Sequence, residues 1–181
     1  MNFKGLRVGI IFIAALLSFV LFFAGQSLYR RYFVLDPLLR EVGAIEGVEG
    51  VQVLPAEEGK IFAFQVAGGK DLAKVYGEID GKLRKRLGKE AYAIILKDYR
   101  NKDLEEVYHR VHYAVYEAIA RGNFMYLAEK VEEEARTYGI KDYRVTVDSE
   151  RVYLQFEQDG FYLYEVVSRE RKPERGRLEV D

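Results

Sequence analysis

Residues 61–97 read IFAFQVAGGKDLAKVYGEIDGKLRKRLGKEAYAIILK, and the period of the apolar pattern changes twice within them. Phe62, Phe64 and Val66 alternate with small or polar neighbours, the period of two expected of a half-buried strand. After the Gly68-Gly69-Lys70 turn, Asp71 can cap a helix whose stripe is Leu72, Val75, Ile79, Leu83 and Leu87, ended by Gly88. Ala91–Lys97 then returns as a strand, its Ile94 and Ile95 suggesting a buried central position.

Working outward, Asp36-Pro37 is a helix start, because Asp caps an N-terminus and Pro is preset for the first helical position. A short helix over Leu38, Leu39, Val42 and Ile45 should stop within Gly47–Gly50. Val51–Leu54 alternates and faces Ile61–Ala67 across the turn Pro55–Lys60, an antiparallel hairpin. Downstream, a helix from about Asp103 to Arg121 carries Leu104, Val107, Val111, Val115 and Ala118. Gly122 ends it, Asn123 caps a second helix through Tyr138, and Gly139-Ile140 suits a glycine stop. Tyr143–Asp148, Arg151–Glu157 and Phe161–Val167 follow as a meander with short turns. The expected fold is therefore α+β with antiparallel strands: an αββαβ module over 36–97 and an ααβββ module over 98–167, as one domain or two.

Ahead of this body lies different chemistry. Residues 1–7 form a short basic tail, and 8–29 hold 22 residues without a charge. At about 1.5 Å per residue such a run reaches roughly 30 Å, the hydrocarbon thickness of a bilayer. Residues 8–28 are expected to be a single transmembrane helix in contact with lipid, and 29–35 a juxtamembrane linker. A cleaved signal peptide fits less well, since the apolar run is long and Gly25-Gln26-Ser27 is a poor cleavage site. Lys4 and Arg7 against Arg30, Arg31 and Arg40 nearly balance the positive-inside rule. The short basic N-terminal tail tilts the expectation to a cell-membrane protein whose soluble domain lies outside the cytoplasm.

Residues 29–181 carry 26 basic and 29 acidic side chains, a net charge of −3, so no nucleic-acid partner is expected. The absence of cysteine removes disulfide-stapled and zinc-finger readings. Residues 168–181 (SRERKPERGRLEVD) read as a disordered charged tail.

Few residues suggest chemistry. Glu105, His109 and His112 lie within about 60° on one helical face and are the metal candidate, although the HExxH order is absent. Otherwise they are a polar stripe bordered by Tyr113 and Tyr116. Gly68-Gly69-Lys70 lacks the Walker spacing of a phosphate loop and reads as a simple strand-to-helix turn. Lys82, Arg84, Lys85, Arg86 and Lys89 place five cations in eight residues. They are either an anionic-lipid patch or a solvated face complementing the helix dipole. Aromatics are the most unusual feature, with all 14 Tyr after position 28. Tyr153, Tyr162 and Tyr164, joined by Tyr113 and Tyr116, are the expected interaction surface, since tyrosine supplies contact area with a polar tip.

The helix–hairpin–helix–strand order of residues 36–97 resembles that of small ring-building modules in membrane-anchored assembly proteins. The resemblance is of element order over about a third of the chain, and it implies assembly at a membrane. The expected function is a single-pass membrane-anchored interaction protein, not an enzyme and without a cofactor. It would self-associate or dock another protein. The alternatives are a membrane-tethered metal-dependent enzyme using Glu105, His109 and His112, or a ligand-sensing domain.

Overall fold

The computed structural model describes residues 8–29, 35–56 and 59–170, and the chain divides into two compact units, residues 1–40 and 41–181. In the first unit α1 (Val8–Tyr29) is a 22-residue helix, with side chains described over residues 11–26. Over residues 11–26 its large apolar side chains are exposed, from Ile11 at 48 % to Phe12 at 73 %. Among the described residues no helix is long and apolar enough to cross a membrane. The expected transmembrane helix over 8–28 is not supported by this result. The basic tail 1–7, most of the linker 29–35 and residues 171–181 of the charged tail lie outside the described residues.

A short helix, α2 (Asp36–Gly43), begins at the expected Asp-Pro pair. In the second unit β1 (Val48–Pro55) starts three residues earlier than the alternation indicates, the extra length absorbed by a register shift between Val48 and Gly50. It pairs antiparallel with β2 (Lys60–Val66). The next helix, α3 (Leu72–Leu87), opens where Asp71 accepts a hydrogen bond from the Lys74 N–H at 3.1 Å, and leads to β3 (Tyr92–Lys97).

Here the all-antiparallel expectation needs correcting: β2 and β3 are parallel, from Lys60↔Tyr92 to Gln65↔Lys97. The helical crossover returns the chain to the end where β2 began, so a strand placed beside β2 must run in its direction. Nor is β3 central, since the sheet order is β1-β2-β3, and Ile94 and Ile95 are half-buried at its edge.

Two helices follow, α4 (Lys102–Arg121) and α5 (Phe124–Thr137). Asn101 caps the first by accepting from the Leu104 N–H at 2.9 Å, one residue before the Lys102 start. Gly122, left-handed at φ 73°, ends it, its N–H donating to Ala118 O at 2.7 Å. The last sheet is the meander β4 (Asp142–Val147), β5 (Arg151–Gln158), β6 (Phe161–Ser168). Its second turn is Asp159-Gly160 at φ 53° and 81°, which matches the right-handed strand twist as a type I′ hairpin requires.

Strand β5 is the organising element. Val152, Leu154 and Phe156 are buried in one cluster with Leu104, Val107, Val111 and Val115 of α4 and Leu127, Val131 and Ala135 of α5. The alternate residues Arg151, Tyr153 and Gln155 are buried as well, because α3 lies against the opposite face. A sheet covered on both faces reads as a continuous buried run, as β5 does.

Candidate functional site

The covering by α3 decides the fate of the aromatic surface. Tyr153 is 2 % exposed, its ring centroid 5.9 Å from that of Tyr76 on α3 and its hydroxyl donating to Asp148 Oδ2 at 2.7 Å. Burial first, then the hydrogen bond to Asp148, pushes its pKa up to about 12. Tyr164 is also 2 % exposed, with its hydroxyl 2.9 Å from Ala67 O and 3.2 Å from Glu157 Oε1. Tyr162 is half-buried, and its hydroxyl accepts from Gln65 Nε2 at 2.9 Å. Tyr153 and Tyr164 are therefore buried and Tyr162 half-buried, where a docking face would need exposed rings. These side chains hold the two halves of the second unit together. Tyr113 and Tyr116 do stand out from α4, at 70 % and 54 % exposure.

Beside them, His112 sits edge-on among aromatic rings, with centroids 4.6 Å from Tyr113, 5.2 Å from Tyr116 and 6.2 Å from Tyr108. That packing is also why the metal candidate does not assemble. The His112 Nδ1 is buried without a hydrogen-bond partner, while Glu105 and His109 are exposed. Among the described residues no group of three or more His, Cys, Asp or Glu stands so as to hold a metal ion.

The basic run on α3 is likewise not one cationic face. Lys82 Nζ donates to Glu41 O at 2.8 Å. Arg84 pairs with Asp80 at 3.1 Å and Glu150 at 2.8 Å, whereas Lys85 and Lys89 are exposed. Lys82 and Arg84 are thus engaged within the chain, although Arg84 stays exposed.

Two arrangements escaped the sequence. The first is a buried charge cluster joining α3 to β5. Asp80 Oδ2 lies 2.8 Å from Arg151 Nη2, and Asp80 Oδ1 accepts from the Tyr92 hydroxyl at 2.8 Å. Arg151 also reaches Glu150 at 2.9 Å and lies over the Tyr76 ring at 5.1 Å. Burial opposes the Arg151 charge, yet Tyr76 and Asp80 hold its pKa above the usual arginine value. A hint was available, since Asp80 adjoins the apolar stripe at Ile79, four residues before Arg84.

The second arrangement concerns the glycine turn. Both carboxylate oxygens of Glu157 accept from the Gly69 N–H, at 2.8 and 2.9 Å. Gln155 accepts from the Leu72 N–H at 3.3 Å and donates to Lys70 O at 2.8 Å. An amide turn at a helix start attracts an anion, and here the chain supplies its own carboxylate from β5.

An open cleft of about 410 Å³ is lined by Tyr76, Ile94–Leu96, Arg100 and Tyr164–Val166. It lies where the free edges of β3 and β6 face each other. A single antiparallel bridge closes one end: Tyr99 N–H to Tyr162 O at 3.1 Å, and Tyr162 N–H to Tyr99 O at 2.7 Å. Beyond it the Asp98 carboxylate, not a strand, takes the Tyr164 N–H at 3.0 Å. Arg100 clamps Asp98 at 2.6 Å and Glu165 at 3.3 Å. Burial raises the Glu165 pKa against the pull of Arg100, and burial pushes Tyr108 up to about 12.

No protein-family model matches the chain, and no curated protein matches it.

Proposed function

We propose that the chain is a single-pass membrane-anchored interaction protein, held in the cell membrane through residues 8–28, whose α+β body self-associates or docks a protein partner. One observation carries the reading. Along residues 11–26 Leu, Ile, Val and Phe are exposed all round the helix, while β5 and its covering helices bury theirs. Exposing such a side chain to water costs about 1.5–3 kcal/mol each, a cost that lipid removes. The exposed Tyr113 and Tyr116 on α4 are the contact residues of this proposal, and anchoring raises local concentration so that a weak interface suffices.

The test is extraction of the full chain from membranes. Retention through alkaline carbonate and release only by detergent is expected. Release by carbonate, or by salt alone, overturns the anchor. Protease added outside sealed vesicles then reads the side on which the body lies, outside the cytoplasm in this proposal.

A further inference from the structure

We propose that the cleft between β3 and β6 takes an extended segment of a partner protein in which apolar and cationic side chains alternate. Main-chain direction is the first observation. The Lys60 N–H donates to Ala91 O at 3.2 Å. The period of two along β3 therefore turns the main-chain groups of Ala93 and Ile95 to β2, and those of Ile94 and Leu96 to the cleft. On β6 the Tyr162 and Tyr164 N–H groups donate to Tyr99 O and Asp98 Oδ2, so the Val166 main chain turns to the same cleft. Among the described residues no strand pairs with either edge beyond the Tyr99↔Tyr162 bridge. Open edges bind extended segments through main-chain hydrogen bonds, with alternate side chains supplying specificity.

The two faces of the cleft set the pattern of the occupant. Ile94 and Leu96 register with Phe62 and Phe64, and Tyr164 and Val166 with Gln155 and Tyr153, so all four stand on the α3 side with Tyr76. Alternation puts Ile95 and Glu165 on the opposite side, where Arg100 lies 3.3 Å from Glu165. One set of alternate side chains in the incoming strand thus meets an apolar wall, and the other set meets charge. There two carboxylates, Asp98 and Glu165, share one guanidinium. Arg100 is held closely by Asp98, at 2.6 and 2.9 Å, and reaches only Oε1 of Glu165. Burial works against the Glu165 charge, so a lysine or arginine on the incoming strand gains by pairing with it, and an acidic side chain is repelled. The cleft needs neither the anchor nor Tyr113 and Tyr116, so its failure and theirs are separate results.

Two capped pentapeptides test this on the full chain in detergent: acetyl-Val-Lys-Val-Lys-Val-amide, and the same peptide with glutamate at both lysines. At about 1 mM the lysine peptide should slow hydrogen exchange of the Leu96 and Val166 amides about tenfold. The glutamate peptide should bind about tenfold more weakly or worse. N-methylation of alternate amides in the lysine peptide should abolish the protection, because it removes main-chain donors. Unchanged exchange, or equal protection by the two peptides, overturns the proposal. So does a Val166 amide that is already protected in the free chain in proportion to its concentration, which assigns the edge to a second copy. Glu165→Gln should erase the preference for lysine over glutamate, and a preference that persists overturns the pairing. If that variant misfolds, the three peptides on the unaltered chain still decide.

Discussion

Arg151 Nη2 meets Asp80 Oδ2 at 2.8 Å, each residue 4 % exposed, across 71 positions of sequence. The pair fastens the crossover helix of one sheet to the central strand of the other. Arg151→Ala should cost about 3–5 kcal/mol, because it leaves the Asp80 charge buried with only part of its partner set. Asp80→Ala should cost a similar amount. The double variant should lose clearly less than the sum of the two, a coupling that denaturant titration of all four proteins measures.

Gly59 tests a close backbone approach. A Cβ there would stand 2.1 Å from Ala91 O, at φ +83°, where the turn into β2 meets the residue before β3. Gly69 has a similar φ of +74° but open space around its Cβ. Gly69→Ala should cost about 1–2 kcal/mol for left-handed strain alone. Gly59→Ala should cost about 1–3 kcal/mol more, because the overlap is with backbone that cannot rotate away. Equal melting temperatures for the two variants would contradict the close approach of Gly59 to Ala91 as a constraint on the fold.

Carboxylates set the acid limb of stability. The Arg84 hydrogen bond holds Glu150 below its usual value. Burial works against Asp148, but Tyr153 and the N–H groups of Glu150 and Arg151 hold it below as well. Each therefore stabilises fully above its unfolded pKa of ~4 and loses that contribution as pH falls through the lower folded value. Glu165 runs the other way: its raised folded pKa makes protonation favour the folded state, so its share of stability grows as pH falls through that value. Glu150→Gln should flatten the loss below about pH 4, whereas Glu165→Gln should remove a gain that begins at higher pH. Urea midpoints measured from pH 7 to pH 3 separate the two effects.

Local chemistry made much of this architecture legible. Asp71, Asn123, Gly88, Gly122 and the Asp159-Gly160 turn act through neighbours within four residues, and each stands where its residue type indicates. What the sequence withheld is non-local. Beside β2 the third strand is parallel and beside β1 it would be antiparallel, and no residue within β3 states which neighbour it takes. The same holds for Tyr164, whose hydroxyl partner Ala67 is 97 positions away. An alternating Tyr/Leu strand looks identical whether its tyrosine face meets solvent or a helix, and here α3 covers it.

That distinction among tyrosines gives the last prediction. Tyr153→Ala removes a buried ring packed on Tyr76 together with the donor to Asp148, and should cost about 3–5 kcal/mol. Tyr113→Ser and Tyr116→Ser remove exposed rings from α4 and should leave stability within about 0.5 kcal/mol. In the full chain solubilised in detergent, the double variant Tyr113→Ser/Tyr116→Ser should shift the light-scattering mass toward the monomer if these rings make the self-contact. An unchanged assembly with unchanged stability removes α4 as the contact face and moves the search to the outer edge of β1. Melting temperature and mass must be read together, because a tyrosine that only holds the fold lowers both, whereas a contact tyrosine lowers the mass alone.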